Sequence, residues 1–210
     1  SVDLMIQAGA AALSDAGVAA REIALVLCAT STPPRMTSTL SAPVGAALGM
    51  SAACMDTRTG CSAGLFALAT GALHVAAGAG PVLICGAETF SKVIPPSHKM
   101  AVMALGDGAG AIVLGAKPGA AVLGSSMQSD GSLGDLIGTA GRLPPTVEEI
   151  ERGGFLLSGQ PEALAAALPE RYLSALGNAL GRAGVSGADL DLYAPHQTSV
   201  PLIQAVAAQA

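Results

Sequence analysis

A cysteine between two glycines is the residue of this sequence whose surroundings most favour chemistry. Cys61 lies in the stretch Thr-Gly-Cys-Ser-Ala-Gly at 59–64, between a predicted short strand at 52–56 and a long apolar helix pattern at 62–78. A thiol at such a corner points out of the backbone toward the unpaired N–H groups of the helix start, whose partial positive charge favours the thiolate. The alternative is a small buried cysteine that fills a tight turn. The glycines and the helix that follows favour a nucleophile.

A second residue able to do chemistry, His196, follows the predicted strand 189–194 in the tripeptide Pro-His-Gln. Open α/β sheets place their sites at the carboxyl ends of strands. A histidine there is either a hydrogen-bonded structural residue or, together with Cys61, part of a nucleophilic site. In the second case a neutral imidazole either donates a hydrogen bond to a thioester carbonyl or acts as the base of the cysteine.

Helices that alternate with buried apolar strands predict a layered α/β protein. The predicted helices are 2–16, 40–48, 62–78, 161–183 and 199–209, and the predicted strands are 23–29, 52–56, 81–87, 109–115, 120–128 and 189–194. The stretch 129–160 is expected to be irregular, as a surface excursion rich in glycine and proline. Pro118 and Gly119 mark the expected seam, which gives one domain at 1–118 with the cysteine and another at 119–210 with the histidine.

An internal repeat supports two related halves. Residues 12–32 align without a gap with residues 179–199. Each copy consists of a helix ending in Ala-Gly, an acidic turn, an apolar strand and a polar tip, which is 30–32 in the first copy and 196–199 in the second. The agreement favours a duplicated α/β half and places His196 at the same edge of the fold as the 30–32 tip.

Composition excludes several classes of function. With 51% hydrophobic and 12% charged residues, the chain can bury a large core and is too apolar to be disordered. A net charge of −5, with no basic patch and no aromatic platform, argues against nucleic-acid binding. The uncharged stretch 59–87 is long enough to raise the question of a membrane span, but His74, two glycines and Pro81 interrupt it, so a core helix followed by a core strand is expected.

The remaining cysteines predict the compartment. Cys28, Cys54 and Cys85 lie in apolar segments without the spacing of metal ligands, so no metal site is expected. Buried free thiols are typical of a reducing cytosol, and nothing at the start of the sequence resembles a signal peptide. A cytoplasmic protein is therefore expected.

Four motifs, in their order and spacing, resemble 3-ketoacyl-acyl-carrier-protein synthase III of the thiolase superfamily. They are Thr-Gly-Cys-Ser-Ala-Gly at 59–64, Gly-Ala-Glu at 86–88, Gly-Asp-Gly-Ala-Gly-Ala at 106–111 and Pro-His-Gln at 195–197. The resemblance spans nearly the whole chain. It implies the thiolase fold, with two pseudo-equivalent α/β halves in five α/β/α/β/α layers, a homodimer, and no cofactor besides acyl-coenzyme A or acyl carrier protein as substrate.

The same resemblance implies roles for individual residues. Cys61 takes an acyl group from coenzyme A or a carrier protein as a thioester, and its own N–H is one oxyanion donor. A malonyl carrier protein is then decarboxylated, and His196 polarises the malonyl thioester carbonyl. Lys99 stands where a family arginine contacts coenzyme A. The segment 33–43 lies at the dimer contact and helps to shape the acyl pocket of the partner.

The sequence also departs from the family pattern. An asparagine motif downstream of the histidine, a glycine-rich C-terminal loop and the first strand and helix have no counterpart, so the sequence is expected to be a fragment lacking N- and C-terminal parts. Pro201 stands where some members carry a basic residue for carrier-protein docking. The glycines at 106–110 are expected to form a tight turn near the site. Arg58 either contacts an acidic ligand or pairs with Asp56 or Glu88.

These observations predict an acyltransferase of the ketosynthase III type that works through an acyl-Cys61 thioester in fatty-acid or polyketide biosynthesis. One alternative is O- or N-acyl transfer to a natural product, which needs Cys61 and His196 as a base but no decarboxylation. Another is a non-catalytic partner subunit of a homologous ketosynthase, against which the presence of both residues counts. A cysteine hydrolase ranks last, because the apolar surroundings exclude water.

Overall fold

The protein forms two compact units, Ser1–Ala121 and Val122–Ala210. The computed structural model describes residues 1–115, 121–197 and 200–209. The predicted seam at Pro118 and Gly119 lies outside these described residues.

The first unit is a mixed sheet with helices on both faces. Its helices are α1 (Val2–Ala16), α2 (Ser41–Ala47), α3 (Ala63–Ala76) and α4 (Lys99–Ala104), and its strands are β1 (Leu25–Ala29), β2 (Ala53–Thr57), β3 (Val82–Thr89) and β4 (Asp107–Leu114). The strand order is β2-β1-β3-β4, in which β1 is parallel to both of its neighbours and β4 is antiparallel to β3. Except for α4, which sequence reasoning missed, these elements lie within three residues of their predicted bounds.

The core of this unit lies on the two faces of β1, whose residues are all buried. Successive side chains of a strand point to opposite faces. Val26 and Cys28 pack with the buried residues of α1 and α2 on one face, and Leu25 and Leu27 pack against Ala67 of α3 on the other. Covering both faces explains why the sequence of a central parallel strand is continuously apolar instead of alternating.

The long uncharged stretch of the sequence forms helix α3 and then strand β3, as predicted. The two are separated by a turn that contains Gly78 at a φ of 76° and Gly80 at 110°. None of the helices in the described part of the chain combines the length and the apolar composition that crossing a bilayer requires.

The second unit consists of a short hairpin and helices. Its elements are β5 (Ile137–Thr139), α5 (Val147–Glu151), β6 (Leu157–Gly159), α6 (Pro161–Ala183) and α7 (Val200–Ala207). Strands β5 and β6 pair antiparallel, and the Thr146 hydroxyl and the Glu149 carboxylate cap α5 reciprocally. The prediction that 129–160 is wholly irregular is therefore wrong. Its three-residue strands and five-residue helix are too short to produce a hydrophobic period.

The two copies of the repeat have the same helix end and the same acidic turn. Helix α1 ends at Gly17 with a φ of 61°, and α6 ends at Gly184 with a φ of 70°, both left-handed. Each is followed by a short 3₁₀ turn. In the first copy the Ala19 N–H donates to the Glu22 carboxylate at 2.8 Å, and in the second the Ser186 N–H donates to Asp189 at 2.8 Å.

The strand predicted at 189–194 is wrong, since the described residues after the second acidic turn are irregular up to Gln197. A strand exists only where a neighbour completes its hydrogen-bond ladder. β1, the counterpart in the first copy, is paired on both sides by β2 and β3. Within the described ranges, no strand pairs with 190–194.

The strand predicted at 120–128 is wrong too. Residue 120 lies outside the described residues, 121–128 is irregular, and 122–128 lies along α6 instead of pairing with a strand. Arg182 of α6 donates from Nη1 to the Ser125 carbonyl at 2.6 Å. At Gly124 the backbones approach so closely that an added Cβ would lie 2.5 Å from the Ala179 carbonyl oxygen. Glycine is therefore required for the close approach of this segment to the helix.

Replacing Gly124 by alanine is expected to lower the free energy of unfolding by about 1–3 kcal/mol, because the new methyl group overlaps backbone atoms of α6. Chemical denaturation measures the change. Gly177→Ala in α6 is the matched control, since a Cβ there meets nothing within 4 Å and alanine favours a helix. Equal stability of wild type and Gly124→Ala would contradict the packing of 122–128 on α6.

Candidate active site

Three parallel strands end at one edge of the first unit. Ala29 of β1 lies opposite Thr57 of β2 on one side and Gly86 of β3 on the other. The turn carrying Cys61 follows β2, the 30–32 tip follows β1, and Glu88 is the second-last residue of β3. Carboxyl edges of parallel strands are where α/β proteins collect reactive groups, and three of the four family motifs meet at this edge or beside it.

Cys61 lies in a tight turn that connects β2 to α3. Gly60 has a φ of 63°, which places the residue before the cysteine in the left-handed region. The Ala63 N–H donates to the Gly60 carbonyl at 3.0 Å, and the Ser62 hydroxyl donates to the Thr59 carbonyl at 2.8 Å. Helix α3 begins at Ala63, so Cys61 lies two residues before the helix and is exposed, as a nucleophile must be.

The expectation that the helix start makes Cys61 a thiolate is wrong in its net effect. Desolvation by the surrounding protein raises the pKa of the Cys61 thiol, and the charge of Glu88 raises it further. The N–H of Cys61 itself donates to the sulfur and lowers the pKa, but by less than desolvation raises it. Helix dipoles act over a short range and weakly, whereas loss of water around a thiolate costs more. The free protein therefore holds Cys61 mainly as a thiol at neutral pH.

Glu88 is the residue of this edge that sequence reasoning left without a role of its own. Its carboxylate accepts hydrogen bonds from the Ser31 N–H at 2.7 Å, the Thr32 hydroxyl at 2.7 Å and the Thr30 hydroxyl at 3.3 Å. The two threonines are buried. The sequence did contain a signal for this contact, because Glu88 directly follows one predicted strand and the hydroxyl-rich 30–32 tip follows another.

Asp56 of β2 caps the start of α2. Its carboxylate accepts hydrogen bonds from the backbone N–H groups of Leu40 and Ser41 at 2.7 and 3.0 Å and from the Ser41 hydroxyl at 2.7 Å. The predicted structural pairing of Arg58 with Asp56 or Glu88 is wrong, because both carboxylates are used by backbone N–H and hydroxyl groups. Among the described residues, the exposed Arg58 forms no ion pair. Its alternative role as a contact for an acidic ligand stays a prediction.

The other cysteines differ from Cys61 in their burial. Cys28 and Cys85 lie opposite each other on β1 and β3 and are completely buried, whereas Cys54 on the edge strand β2 is only half-buried. The hydrogen bond with Cys85 and burial raise the pKa of the Cys28 thiol. All four thiols are free. Cys61 is thus the exposed cysteine among the four.

The tight turn predicted at 106–110 is wrong, because most of this run belongs to strand β4. Asp107 to Leu114 pair with β3, with Gly110 opposite Gly86 and Gly108 opposite Glu88. The Asp107 carboxylate accepts hydrogen bonds from the Ser91 N–H at 2.9 Å and the Ser91 hydroxyl at 2.7 Å. The glycines lack the hydrophobic alternation that would have predicted the first residues of this strand.

Comparisons with known proteins show which proteins the chain is similar to. The sequence pattern of 3-oxoacyl-(acyl-carrier-protein) synthase III matches residues 55–131, which include Cys61 and Glu88. The beta-ketoacyl-(acyl-carrier-protein) synthase III 5 of Streptomyces coelicolor is 35% identical over 99% of this chain. The corresponding synthase III of Rhodospirillum centenum is 34% identical over 98% of it. The resemblance to synthase III is confirmed.

Solved structures of synthase III proteins confirm the predicted thiolase-like α/β fold. The enzyme from Pseudomonas aeruginosa superposes with a TM-score of 0.88 over 100% of this chain, at 30% identity. The priming β-ketosynthase of a polyketide biosynthetic pathway superposes with a TM-score of 0.88, also over 100% of this chain, at 25% identity. The chain spans 64% of the length of each of these four relatives.

The other two residues implied by the synthase III resemblance are both exposed. His196 lies in the second unit and lines a narrow apolar cleft with residues of that unit. The other residues of the cleft are Tyr172, Tyr193, Pro195, Leu202, Ile203 and Val206. Lys99 is the first residue of α4, and His98 before it caps the helix by accepting the Ala101 N–H at Nδ1. The roles of Cys61, His196 and Lys99 stay predictions.

The segment 33–43, which the resemblance places at the dimer contact beside the acyl pocket of the partner, borders an open cavity of about 290 Å³ in the first unit. The cavity is lined by Val2, Pro34, Arg35, Ser38, Thr39, Leu40 and Pro43. Ser38 has a φ of 71°, so the segment takes a bend that a non-glycine residue seldom adopts. Leu40 and Ser41 at its end are fixed by Asp56.

Proposed function

We propose that this protein is an acyltransferase of the ketosynthase III type that carries its acyl group on Cys61. Support comes from the exposed Cys61 in a glycine turn at the carboxyl edge of the sheet, within a chain whose relatives are synthase III proteins over nearly its whole length. The proposed reaction is a decarboxylative Claisen condensation in fatty-acid or polyketide biosynthesis. Acyl-coenzyme A or acyl carrier protein supplies the acyl group, and a malonyl thioester accepts it.

The first half-reaction forms the acyl-enzyme. The Cys61 thiol loses its proton, the sulfur attacks the donor carbonyl, and the donor thiolate leaves and takes up a proton. In this proposal the Cys61 N–H donates to the oxyanion of the tetrahedral intermediate. Because the free thiol is favoured, proton loss must be coupled to substrate binding or to a base.

The second half-reaction forms the carbon–carbon bond. The malonyl thioester loses carbon dioxide, the resulting carbanion attacks the acyl carbonyl on Cys61, and the Cys61 thiolate leaves. In this proposal the His196 imidazole donates a hydrogen bond to the malonyl thioester carbonyl, where negative charge develops. Lys99, exposed at the start of α4, offers a cation to the phosphates of coenzyme A. The protein is proposed to act in the cytoplasm as a homodimer and without a cofactor.

Intact-mass measurement of the full-length protein after incubation with a panel of acyl-coenzyme A and acyl-carrier-protein thioesters tests the proposal. Wild type is expected to gain the mass of one acyl group, and Cys61→Ala is expected to gain none. Cys54→Ala is the matched control, since its thiol on the edge strand is half-buried and it should still be acylated. Absence of an adduct with every coenzyme A and carrier-protein donor would contradict the proposal.

The fate of the adduct distinguishes condensation from simple acyl transfer. With malonyl carrier protein, the proposed enzyme releases carbon dioxide and forms a 3-ketoacyl product. Consumption of the adduct by an alcohol or an amine, but not by malonyl carrier protein, would instead identify an O- or N-acyltransferase.

A further inference from the structure

Glu88 connects two strand ends beside the reactive turn. Thr89 follows it in β3, and the Thr89 N–H donates to the Thr32 hydroxyl oxygen at 2.8 Å. The Thr32 hydroxyl therefore directs its own hydrogen to Glu88 Oε2 at 2.7 Å, while the other carboxylate oxygen accepts the Ser31 N–H. Thr32 is buried, so a charge-assisted relay of fixed polarity joins the end of β3 to the tip after β1.

We propose that Glu88 is a positioning residue of the Cys61 site, whose carboxylate fixes the 30–32 tip and sets the electrostatic environment of the thiol. The inference deepens the proposed function, because it assigns a residue that controls when Cys61 becomes a nucleophile. No cation offsets the carboxylate among the described residues, since Glu88 belongs to no ion pair and its hydrogen-bond partners are neutral groups.

The 30–32 tip, which Glu88 holds, also contacts the strand that leads to the Cys61 turn, since the Thr30 N–H donates to the Thr57 carbonyl at the end of β2 at 3.4 Å. Glu88 is the charged group at this edge that acts on the thiol. Its negative charge raises the pKa of Cys61, in addition to the larger effect of desolvation. Helix α3 carries no charged residue in its first turn. On the β2 side, Asp56 is engaged at the start of α2, and Arg58 is exposed to solvent, where water screens it.

The consequence is a thiol that stays protonated in the free enzyme. A thiolate is the form that oxidants and alkylating compounds attack. A carboxylate held near Cys61 disfavours that form until a bound thioester and a base remove the proton in the acylation step. Because the carboxylate is held by three hydrogen bonds, its effect on Cys61 has a fixed geometry and not the averaged one of a mobile side chain.

The rate of Cys61 alkylation by iodoacetamide, followed against pH in the full-length protein by peptide mass mapping, tests the proposal. Glu88→Gln keeps the shape of the side chain and removes its charge. At a pH below the midpoint, we expect it to alkylate Cys61 about two- to tenfold faster than wild type, since one pKa unit corresponds to tenfold. The midpoint should move to lower pH, and the difference should shrink at high salt.

Three further variants separate the effect of the Glu88 charge from the effect of its hydrogen bonds. Thr32→Val removes the hydroxyl and keeps the carboxylate, so we expect a lower melting temperature and no fall in the alkylation midpoint. Asp107→Asn removes a carboxylate of the adjacent strand that binds Ser91, and we expect the wild-type profile. A second neutral variant, Glu88→Ser, leaves room for water beside Ser31 and carries the same expectation if Glu88→Gln fails to fold.

An unchanged or raised midpoint in the folded neutral variants would overturn the proposal and leave Glu88 as a purely structural clamp. This result is distinguishable from failure of the proposed function, because iodoacetamide reports on the Cys61 thiol whether or not any thioester acylates it. A protein that no thioester acylates, but whose midpoint falls in Glu88→Gln, would refute the acyltransferase and retain the role of Glu88.

Discussion

His196→Ala is expected to leave acylation of Cys61 by acyl-coenzyme A within a few-fold of wild type, and to lower condensation with malonyl carrier protein by about 10²–10³-fold. The reason is that the imidazole is proposed to stabilise charge that develops on the malonyl thioester carbonyl, which is absent from the acylation step. Burst measurements of adduct formation by mass, and turnover measured by release of carbon dioxide, separate the two steps.

The conservative variant His196→Gln distinguishes a hydrogen-bond donor from a base. A glutamine amide places an N–H near the position of Nε2 but cannot take up a proton at neutral pH. If His196 is a donor, His196→Gln should recover part of the condensation rate that alanine loses. Loss of acylation in both variants to the same extent would contradict the donor role and identify His196 as the base that removes the Cys61 proton.

The sequence predicted the first unit well because its elements are specified locally. The continuously apolar β1, flanked by a helix with an Ala-Gly end and an acidic turn, can form only a buried strand in an α/β layer. Gly17 and Glu22 fix the turn before that strand, and the same signals recur at Gly184 and Asp189. Helix ends and acidic turns depend on neighbours within a few residues, so pattern alone identifies them.

The failures concern interactions between distant residues. The segment 189–194 has a strand-like composition and the same preceding turn as β1, yet no described strand pairs with it. Strand formation depends on a neighbour, which a local pattern does not report. The segment 122–128 was also predicted to be part of a strand, but it packs on α6, because Gly124 allows it to approach the backbone of that helix.

The candidate site shows the same difference between what local sequence predicts and what depends on distant residues. Cys61 and its turn were found from residue types and spacing, whereas the direction of its pKa was not. The local sequence revealed the helix start, which stabilises a thiolate and lowers the pKa of the thiol. It did not reveal the desolvation and the charge of Glu88, which together raise that pKa by more. Glu88 lies on β3, 27 positions after Cys61 in the sequence, and the desolvation comes from the surrounding fold.

Gly60→Ala is expected to slow both acylation and alkylation of Cys61 by about 10- to 100-fold. Gly60 has a φ of 63°, and an L-residue in that region costs about 1–2 kcal/mol. The turn can relieve this strain only by rotating Gly60, which disturbs the hydrogen bond from the Ala63 N–H to its carbonyl and moves Cys61. A displacement of about 1 Å at a reacting group is enough to cost about 10²-fold in rate.

The second glycine of the same turn provides the matched control. Gly64 lies in the first turn of α3 without a positive φ, and a Cβ there meets nothing within 4 Å, so Gly64→Ala should keep the wild-type rate. Gly60→Asn should fall between wild type and alanine, because asparagine adopts the left-handed region more readily than alanine does. A graded loss at position 60 with none at 64 would show that the conformation of the turn, and not the small size of its residues, holds the thiol in place. Equal rates for Gly60→Ala and wild type would contradict this, since the strain would then have been absorbed without moving Cys61.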